Sequence, residues 1–398
     1  MSSNVSNRVK NLSESATLAM AAKSRELKAQ GLDIISLSLG EPDFDTPDFI
    51  KEAAKEAIEN NFTHYPPVNG YQDVREAISL KFKRDNNLDY PPENILISTG
   101  AKQSLMNVFL SLVNPGDEVL LPAPFWVSYS AMAEFSGAKQ IIIETSIESD
   151  FKITPDQLRA NLTANSKLMV FSSPCNPSGS VYLREELEAL ADVIAEYENL
   201  YVISDEIYEH INFTGQHASI GTIEKIKDRV ITVNGLAKGF AMTGWRLGYI
   251  GAPQWIIKAA SKIQGQFTSG ANTIAQKAAK AAVLADPSVT HEMRDTFLRR
   301  RNLILRELNT IAGLKVNVPQ GAFYVFPDIS SYFGKSSQEG IIHNATELCI
   351  YLLSEAKVAL VTGDAFGNPN CLRISYATSD EILLDACNRI KTALQKLY

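Results

Sequence analysis

Short apolar segments alternate with helical patterns through the middle of the chain, and this alternation limits the folds that the sequence can adopt. Residues 183–197, for example, place leucines and alanines three and four positions apart, which is typical of a helix. Apolar strands separated by helices predict a mostly parallel sheet that is covered by helices on both faces. The predicted strands are residues 94–98, 118–121, 140–145, 168–172, 201–204, 230–233 and 247–250.

The pattern changes after residue 287, where a long arginine-rich helical segment leads into shorter strands and further helices. We interpret this C-terminal part as a smaller α+β domain. The first 48 residues are expected to pack with it, because the periodic α/β pattern begins only after them. The sequence therefore predicts an α/β protein with a large domain of residues 49–287 and a small domain of residues 1–48 and 288–398.

Composition and charge argue against several classes of protein. Hydrophobic residues make up 45% and charged residues 21% of the 398 residues, which allows a large core and argues against disorder. The net charge of −7 argues against a broad nucleic-acid-binding surface. An apolar patch at residues 16–22 is short and closely flanked by charges, so we expect an amphipathic helix there rather than a signal peptide or a membrane span.

The cysteines and histidines do not form a recognisable metal motif. The four cysteines, at positions 175, 349, 371 and 387, are too far apart in sequence for a zinc knuckle or a redox pair. Reduced thiols and a cytoplasmic location are the simplest interpretation. The five histidines are scattered and are expected to be surface or hydrogen-bonded residues, so no metal site is predicted.

Two other charged groups have simple structural explanations. The arginines at positions 299–301 are expected to form a solvated helix face. Glu41 and Asp43 could pass for a catalytic pair of carboxylates, but we expect them to set a turn around Pro42.

Unusual residues follow the predicted strands at the edge where open α/β sheets bind ligands. After residues 94–98 the stretch TGAKQ opens a helix with small residues, which allows backbone N–H groups to approach a phosphate. Trp126 follows the next strand, and Asn176 follows a later one between two prolines. Taken singly, these features have simpler explanations: a strand–helix turn, a core tryptophan and a turn-forming asparagine.

Two later strands end in charged residues. Asp205 follows residues 201–204 with Tyr208 close behind, and Lys238 and then Arg246 follow residues 230–233. Asp205 alone would be interpreted as a helix cap. Together, however, the strand ends offer a lysine for an aldehyde, an anion for a ring nitrogen, donors for a phenolate oxygen and an arginine for a phosphate. This set matches the requirements of pyridoxal 5′-phosphate.

The motifs around these residues resemble those of the class I, fold type I pyridoxal-phosphate aminotransferases. In the family's order they are SLGEPDFDTP, YPPVNGY, STGAKQSL, PAPFWVSY, SSPCNPSG, SDEIYEH, GLAKGFAMTGWRLG, GAFYVF and LRISYA. The resemblance extends from about residue 15 to the C-terminus, and its style is that of the bacterial aspartate aminotransferases. It implies a large domain in which a mostly parallel mixed sheet lies between helices, together with a smaller α+β domain.

The resemblance implies a role for each matching residue. Lys238, Asp205 and Tyr208 would be the catalytic residues, with Lys238 holding the cofactor as a Schiff base and Asp205 pairing with the pyridinium nitrogen. For the cofactor ring, the resemblance implies contacts of Tyr208 and Asn176 with the ring oxygen and of Trp126 with the ring face beside the substrate. The phosphate would be bound by Arg246, by the backbone of Gly100, Ala101 and Lys102, and by Tyr65 of a neighbouring subunit. The substrate α-carboxylate would be bound by Arg373, Asn176 and Gly40. A role for Tyr65 in the neighbouring subunit implies a homodimer with shared active sites.

The chain departs from the family pattern just before the lysine. Some relatives have a serine one or three residues before it, whereas this chain has Ala237 and Gly235. A possible hydroxyl donor to the phosphate is therefore missing, and phosphate binding is expected to depend more on backbone groups and Arg246.

The substrate depends on the number of cations in the site. Arg373 fits one carboxylate, so a dicarboxylic substrate needs a second cation, for which the resemblance suggests Lys102. The alternative is a solvated lysine in the first turn of a helix, where its charge opposes the helix dipole. Residues 15–20 are expected to add hydroxyls near the same pocket. The favoured function is ping-pong amino transfer between L-aspartate and 2-oxoglutarate.

Several alternatives stay open at this point. The enzyme could prefer prephenate, which is also a dicarboxylate, or aromatic or other amino acids. A fold type I lyase or decarboxylase would use the same Lys238. A non-catalytic ligand-binding domain is a further alternative, but it usually accompanies a DNA-binding segment, for which no room is expected before residue 15. A nicotinamide oxidoreductase would need the motif G-x-G-x-x-G at the position where this chain has STGAKQ. Amino acids and 2-oxo acids are the expected partners, with neither nucleic acid nor membrane.

Overall fold

The structure, a computed structural model, describes residues 4–12, 14–338 and 340–398. Its helices are α1 (Asn7–Asn11), α2 (Ala16–Ala29), α3 (Asp48–Glu59), α4 (Gln72–Asn86), α5 (Ala101–Leu112), α6 (Val127–Ser136), α7 (Pro155–Asn161), α8 (Arg184–Ala195), α9 (Gln254–Phe267), α10 (Thr273–Leu284), α11 (His291–Leu308), α12 (Ala345–Tyr351) and α13 (Asp380–Leu394). Its strands are β1 (Ile35–Ser36), β2 (Ile95–Ser98), β3 (Glu118–Pro122), β4 (Lys139–Ile143), β5 (Ser166–Ser172), β6 (Tyr201–Asp205), β7 (Val230–Gly235), β8 (Gly248–Gly251), β9 (Tyr324–Val325), β10 (Ser336–Ser337), β11 (Gly340–Ile341), β12 (Val358–Ala359), β13 (Val361–Thr362) and β14 (Leu372–Ser375).

The central sheet has seven strands in the order β2-β8-β7-β6-β5-β3-β4. The pairs are parallel except where β8 runs antiparallel between β2 and β7. In this register Ser172 lies beside Asp205, and Asp205 lies beside Val233. The carboxyl ends of β5, β6 and β7 therefore meet at one edge of the sheet, and the predicted mostly parallel mixed sheet is confirmed.

Helices cover both faces of this sheet because alternate strand side chains point to opposite sides. Ile95 and Ile97 pack with α3, α4 and α10, whereas Leu96 packs on the other face with α5, α6 and α9. Further along the sheet, Met169 and Phe171 pack against α8. Strands that are buried on both faces consist of continuous apolar residues, which explains why they could be predicted from the sequence.

The C-terminal part contains the smaller three-stranded sheet β13-β14-β9, whose pairs are antiparallel. The N-terminal segment joins this part, because β1 pairs in parallel with β12 and brings Ile35 beside Val358. Ile35 and Leu37 share an apolar cluster with side chains of α11, α12 and α13. The predicted α+β unit is therefore present, while the domain boundaries after residues 48 and 287 stay a prediction.

The N-terminal apolar patch forms a helix, but one that buries little. Within α2 only Ala21 and Ser24 are buried, and Leu18 is 61% exposed. The four cysteines are buried free thiols. Among the described residues, no helix combines the length and apolarity needed to cross a membrane.

The prediction of a solvated arginine face on α11 is wrong for Arg300, which is 8% exposed. Its two Nη atoms donate to the two carboxylate oxygens of Asp43, at 2.7 and 2.8 Å. Asp43 therefore does more than set a turn, because it attaches the segment that follows Gly40 to α11. The two partners lie 257 positions apart, so no local pattern in the sequence could have paired them.

Gly248 in β8 provides a test of the packing between the sheet and α5. A Cβ atom at this position would come within 2.6 Å of the carbonyl carbon of Gly100. We expect Gly248→Ala to lower the free energy of unfolding by about 1–3 kcal/mol, because backbone cannot move aside as a flexible side chain would. Urea unfolding measures the difference. Gly244→Ala is the matched control, since a Cβ there meets no atom within 4 Å; equal losses would contradict the steric explanation.

Candidate active site

A cavity of about 460 Å³ opens at the carboxyl ends of the central strands. Its charged lining residues are Lys102, Lys238, Arg246, Arg373, Glu41 and Asp205. Basic groups exceed acidic ones here although the whole chain carries a net charge of −7, so the cavity suits anionic ligands.

The structure brings almost all of the predicted site residues together in this cavity. Those that line it are Gly40, Gly100, Ala101, Lys102, Trp126, Asn176, Asp205, Tyr208, Lys238, Arg246 and Arg373. Tyr65 is the exception, because it is 95% exposed and is not part of the lining. Its role in a neighbouring subunit stays a prediction.

Lys238 is half-buried in the loop that follows β7, and its Nζ donates a hydrogen bond of 2.5 Å to the carbonyl oxygen of Gly40. Burial lowers the pKa of Lys238 to about 8; Glu41 opposes this shift, whereas Arg373 and Arg246 add to it. A lysine with such a pKa is partly neutral near neutral pH. It can therefore act as a nucleophile or a base.

Asp205 is the last residue of β6 and is 4% exposed. The hydroxyl of Tyr129 donates to its Oδ2 at 2.7 Å, and the backbone N–H of Ile207 donates to its Oδ1 at 3.3 Å. Burial raises the pKa of Asp205 to about 6, although these hydrogen bonds oppose the shift. A carboxylate in this position favours a ligand that brings a protonated nitrogen.

Arg373 and Asn176 form one unit in the depth of the cavity. Arg373 is 1% exposed and donates from Nη1 to Asn176 Oδ1 at 2.9 Å and from Nη2 to the carbonyl oxygen of Ser38 at 2.5 Å. Its buried Nε has no partner in the described part of the chain. Because the amide oxygen of Asn176 accepts from Arg373, its amide nitrogen is left to donate toward a ligand.

Two tyrosines without an assigned role in the sequence analysis belong to the site. Tyr324 places its hydroxyl 2.7 Å from that of Tyr208, and its ring lies 4.6 Å from the guanidinium carbon of Arg373. Tyr129 holds Asp205. Tyr129 stands one helical turn after Trp126, a spacing that could have revealed it, whereas no local signal connects Tyr324 with Tyr208.

Gly100 and Arg246 form a cradle for an anion at the start of α5. Gly100 has a φ of +82°, and a Cβ there would lie 2.6 Å from Nη2 of Arg246. The guanidinium therefore lies against the backbone from which the first N–H groups of α5 emerge. A helix N-terminus and an arginine both attract phosphate, and glycine is needed both for the backbone conformation and for the close approach.

The sheet leaves little room for a side chain at Gly235, one of the two positions before the lysine that lack a serine. Gly235 is the last residue of β7, and a Cβ there would lie 3.1 Å from both Gly248 Cα and the carbonyl oxygen of Leu247. A serine at this position would therefore require neighbouring backbone to shift.

Lys102 and Trp126 lie at the cavity beside each other. The ammonium of Lys102 is 4.9 Å from the centroid of the indole ring, which is cation–π range. Trp126 is half-buried and lines the cavity, so it is not an ordinary core tryptophan. Ser15 and Thr17 line the same cavity, in agreement with the hydroxyls expected from residues 15–20.

Comparison with known proteins identifies the family of this chain. Residues 32–390 match the sequence model of the family described as aminotransferase class I and II. The chain belongs to this family. The aminotransferase is 48% identical over 395 residues to a Petunia hybrida protein named bifunctional aspartate aminotransferase and glutamate/aspartate-prephenate aminotransferase, a match that covers 98% of this chain and 82% of that protein. It is 44% identical to the aspartate/prephenate aminotransferase of Nitrosomonas europaea, with 98% and 99% of the two chains covered.

Solved structures agree with this assignment. The aspartate aminotransferase of Rhizobium meliloti has a TM-score of 0.96 and 38% identity to this aminotransferase, with 100% of each chain covered. The Thermus thermophilus aspartate aminotransferase with maleate has a TM-score of 0.92 and 40% identity, with 98% of this chain and 100% of that chain covered. The predicted family and fold are confirmed.

The buried carboxylate predicts that stability depends on pH in a defined direction. Because the folded-state pKa of Asp205 is raised from 3.8 to about 6, its charging destabilises the ligand-free aminotransferase as pH rises through this interval. Above pH 6 the penalty is about 2–3 kcal/mol. We expect Asp205→Asn to raise the free energy of unfolding by that amount at pH 7.5 and to have little effect below pH 4.

Urea unfolding of the ligand-free protein at the two pH values measures this effect. Asp45→Asn is the control, because Asp45 is exposed and should change stability by less than about 0.5 kcal/mol. Equal stability of Asp205→Asn and the unaltered protein at pH 7.5 would contradict the prediction.

Proposed function

We propose that this aminotransferase binds pyridoxal 5′-phosphate and transfers amino groups between L-aspartate and 2-oxoglutarate, forming oxaloacetate and L-glutamate. The observation that supports this most strongly is the placement of Lys238, Asp205 and the Gly100–Arg246 cradle around one cavity. The relatives named aspartate aminotransferase support the choice of substrate.

The residues present fit this cofactor chemically. The cradle formed by Gly100 and Arg246 suits a phosphate, and the buried carboxylate of Asp205 suits a protonated ring nitrogen. The amide nitrogen of Asn176 is available as a donor for a ring oxygen, since the amide oxygen is occupied by Arg373. Trp126 offers an indole ring beside the same space.

When bound, pyridoxal phosphate supplies a reactive aldehyde and a ring that accepts negative charge. Arg373 binds the α-carboxylate of the substrate through its free N–H groups and thereby orients the Cα–H bond. Lys238 Nζ, with its pKa lowered to about 8, would take the proton from the substrate Cα and pass it to the former aldehyde carbon, and would carry it in the opposite direction in the second half-reaction. Asp205 would hold a proton on the ring nitrogen, and the hydroxyl of Tyr208, which lines the same cavity, would donate to the ring oxygen.

The second cation selects a dicarboxylic substrate. Lys102 lies at the cavity 4.9 Å from the ring of Trp126, whereas Arg373 lies buried in its depth. A substrate with two carboxylates can contact both cations, and the hydroxyls of Ser15 and Thr17 are available nearby. Prephenate is a second candidate, because it is also a dicarboxylate and relatives from Petunia hybrida and Nitrosomonas europaea are named for it.

The proposal includes a homodimer in the cytoplasm. Tyr65 is 95% exposed and lies outside its own cavity, so it is free to complete the phosphate site of a second subunit. The four buried free thiols support a reducing compartment. We also propose that residues 49–287 form a large domain and that the remaining residues form a small domain.

The first experiment is an absorbance spectrum of the purified protein with pyridoxal phosphate, before and after adding L-aspartate without any oxo acid. We expect a visible band that is replaced by one at shorter wavelength, with oxaloacetate released. A band that responds only to another amino acid would support the proposed cofactor but contradict aspartate as the substrate.

Lys238→Ala tests the central residue. We expect turnover to fall by about 10³-fold or more with the fold unchanged in circular dichroism, because both the nucleophile and the base are lost. Lys262→Ala, an exposed lysine of α9, is the control and should retain full activity. Turnover by Lys238→Ala near that of the control would refute the assignment.

Lys102→Ala tests substrate choice. Loss of a charge-assisted contact should lower kcat/KM for aspartate and glutamate about 10- to 100-fold, while alanine and phenylalanine change less than about threefold. Lys102→Arg keeps the charge and should keep most of the preference for dicarboxylates. Equal losses for all four amino acids would restrict Lys102 to a contact in the phosphate loop. Assaying prephenate alongside these amino acids tests it as the second candidate substrate.

A further inference from the structure

The turn that follows β6 has two sides with different surroundings. Asp205 and Tyr208 line the cavity, whereas Glu206 and Glu209 face the protein interior, where they are 0% and 8% exposed. Carboxylates buried this deeply require compensating positive charge or protonation. The partners of these two glutamates therefore determine the charge behind the proposed cofactor site.

Glu209 has a cationic partner of its own. Lys81 of α4 is 2% exposed and donates to Glu209 Oε1 and, at 2.7 Å, to Asn86 Oδ1. Asn86 in turn donates from Nδ2 to Glu209 Oε2 at 2.5 Å. One carboxylate is therefore neutralised by one ammonium.

Glu206 receives its hydrogen bonds from two hydroxyls, one amide and one imidazole, the amide being Asn86 Nδ2 at 3.4 Å from its Oε2. Ser204 and Ser219 donate to its Oε1 at 2.9 and 2.5 Å, and His217 Nε2 lies 2.8 Å from its Oε2. The hydroxyls and the amide carry no charge, so among these partners His217 is the one that can neutralise this carboxylate. The side chain of His217 is 8% exposed, which keeps the pair away from water.

The other ionisable groups around His217 do not supply this charge. They are Glu209, Lys81, His210, Asp85, Arg84, Tyr90 and Tyr249. Asp85 is paired with Arg84. Burial lowers the pKa of His210 to about 4 and raises the pKa values of both tyrosines, so all three stay neutral near neutral pH. For His217, burial and Lys81 work against the charged form, but the charge and hydrogen bond of Glu206 together with the charge of Glu209 outweigh them and raise the pKa.

Glu206, Glu209, Lys81, Asn86 and His217 form a buried network, which is in contact with the segments that carry the proposed cofactor site. Glu206 follows Asp205 directly in the chain, and its charge raises the pKa of Asp205. His210 packs against the residues after Lys238: a Cβ at Gly239 would lie 2.7 Å from its ring, and its centroid lies 5.3 Å from that of Phe240. The turn thus connects the buried network with both charged groups of the proposed mechanism.

We propose that His217 is a positioning residue of the cofactor site, whose imidazolium cancels the charge of Glu206 so that Asp205 acts without a second uncompensated anion behind it. This inference rests on the proposed function. Glu206, Glu209 and His217 offer ligand atoms within 4.8 Å of one another, a spacing that a metal ion could also use. Lys81 and His217 already provide the positive charge that these carboxylates would otherwise draw from an ion.

The first test uses the protein without cofactor. Histidine ring signals are followed by NMR as a function of pH, and the chain has five histidines, so His217→Gln identifies the signal of His217 by its loss. We expect His217 to titrate above the usual value of about 6.5, because Glu206 and Glu209 favour its charged form. A neutral His217 at pH 6 would overturn the proposal.

The second test uses the protein loaded with pyridoxal phosphate and follows the pH at which its visible band changes. This pH reports the protonation of the nitrogen that links the cofactor to Lys238. In His217→Gln the amide still donates to Glu206 but the positive charge is gone. The uncompensated anion favours the protonated link, so the apparent pKa should rise by roughly half a unit to one unit.

Two further variants separate charge from packing. Glu206→Gln combined with His217→Gln removes both charges and should return the apparent pKa to that of the unaltered protein, whereas damage to packing would be largest in this double variant. His343→Gln changes an exposed histidine and should have no effect. An unchanged value in His217→Gln, or an equal shift in the double variant, would overturn the proposal.

The two proposals fail in different ways. Absence of a visible band in the unaltered protein would refute the proposed function and this positioning role with it. A normal band together with a neutral His217 would refute the positioning role alone.

Discussion

The register of the parallel strands β5, β6 and β7 is the constraint on which the site depends. Because Ser172, Asp205 and Val233 lie beside one another, the segments that carry Asn176, Tyr208 and Lys238 leave the sheet at one edge. A slip of one residue would turn each strand's side chains to the opposite face and remove Asp205 from the cavity. The apolar contacts on both faces oppose such a slip.

The cavity also contains charge that the protein alone does not fully satisfy. Asp205 is buried without a cation in hydrogen-bond contact, and Arg373 keeps a buried Nε without a partner in the described residues. Each group costs folding free energy on its own. Both residues line the cavity, where a ligand of opposite charge can lie, so the arrangement is preorganised for binding rather than optimised for stability.

The sheet and most of the cavity were predictable because their signals are local. Apolar runs indicated the strands, and Asp205 and Lys238 stand at strand ends within short motifs. The pairing of Arg300 with Asp43 was not predictable, and neither was that of Tyr324 with Tyr208, because these partners are distant in the chain and meet only through packing. Nothing in the sequence distinguishes such an arginine from a solvated one.

Residues 38–43 are attached to both parts of the protein. The carbonyl of Ser38 accepts from Arg373 in β14, the carbonyl of Gly40 accepts from Lys238 beyond β7, and Asp43 binds Arg300 in α11. These three contacts hold the short segment between the central sheet and the C-terminal part of the protein. The proposed α-carboxylate pocket therefore takes its groups from three distant parts of the chain, and no single part of the protein contains it alone.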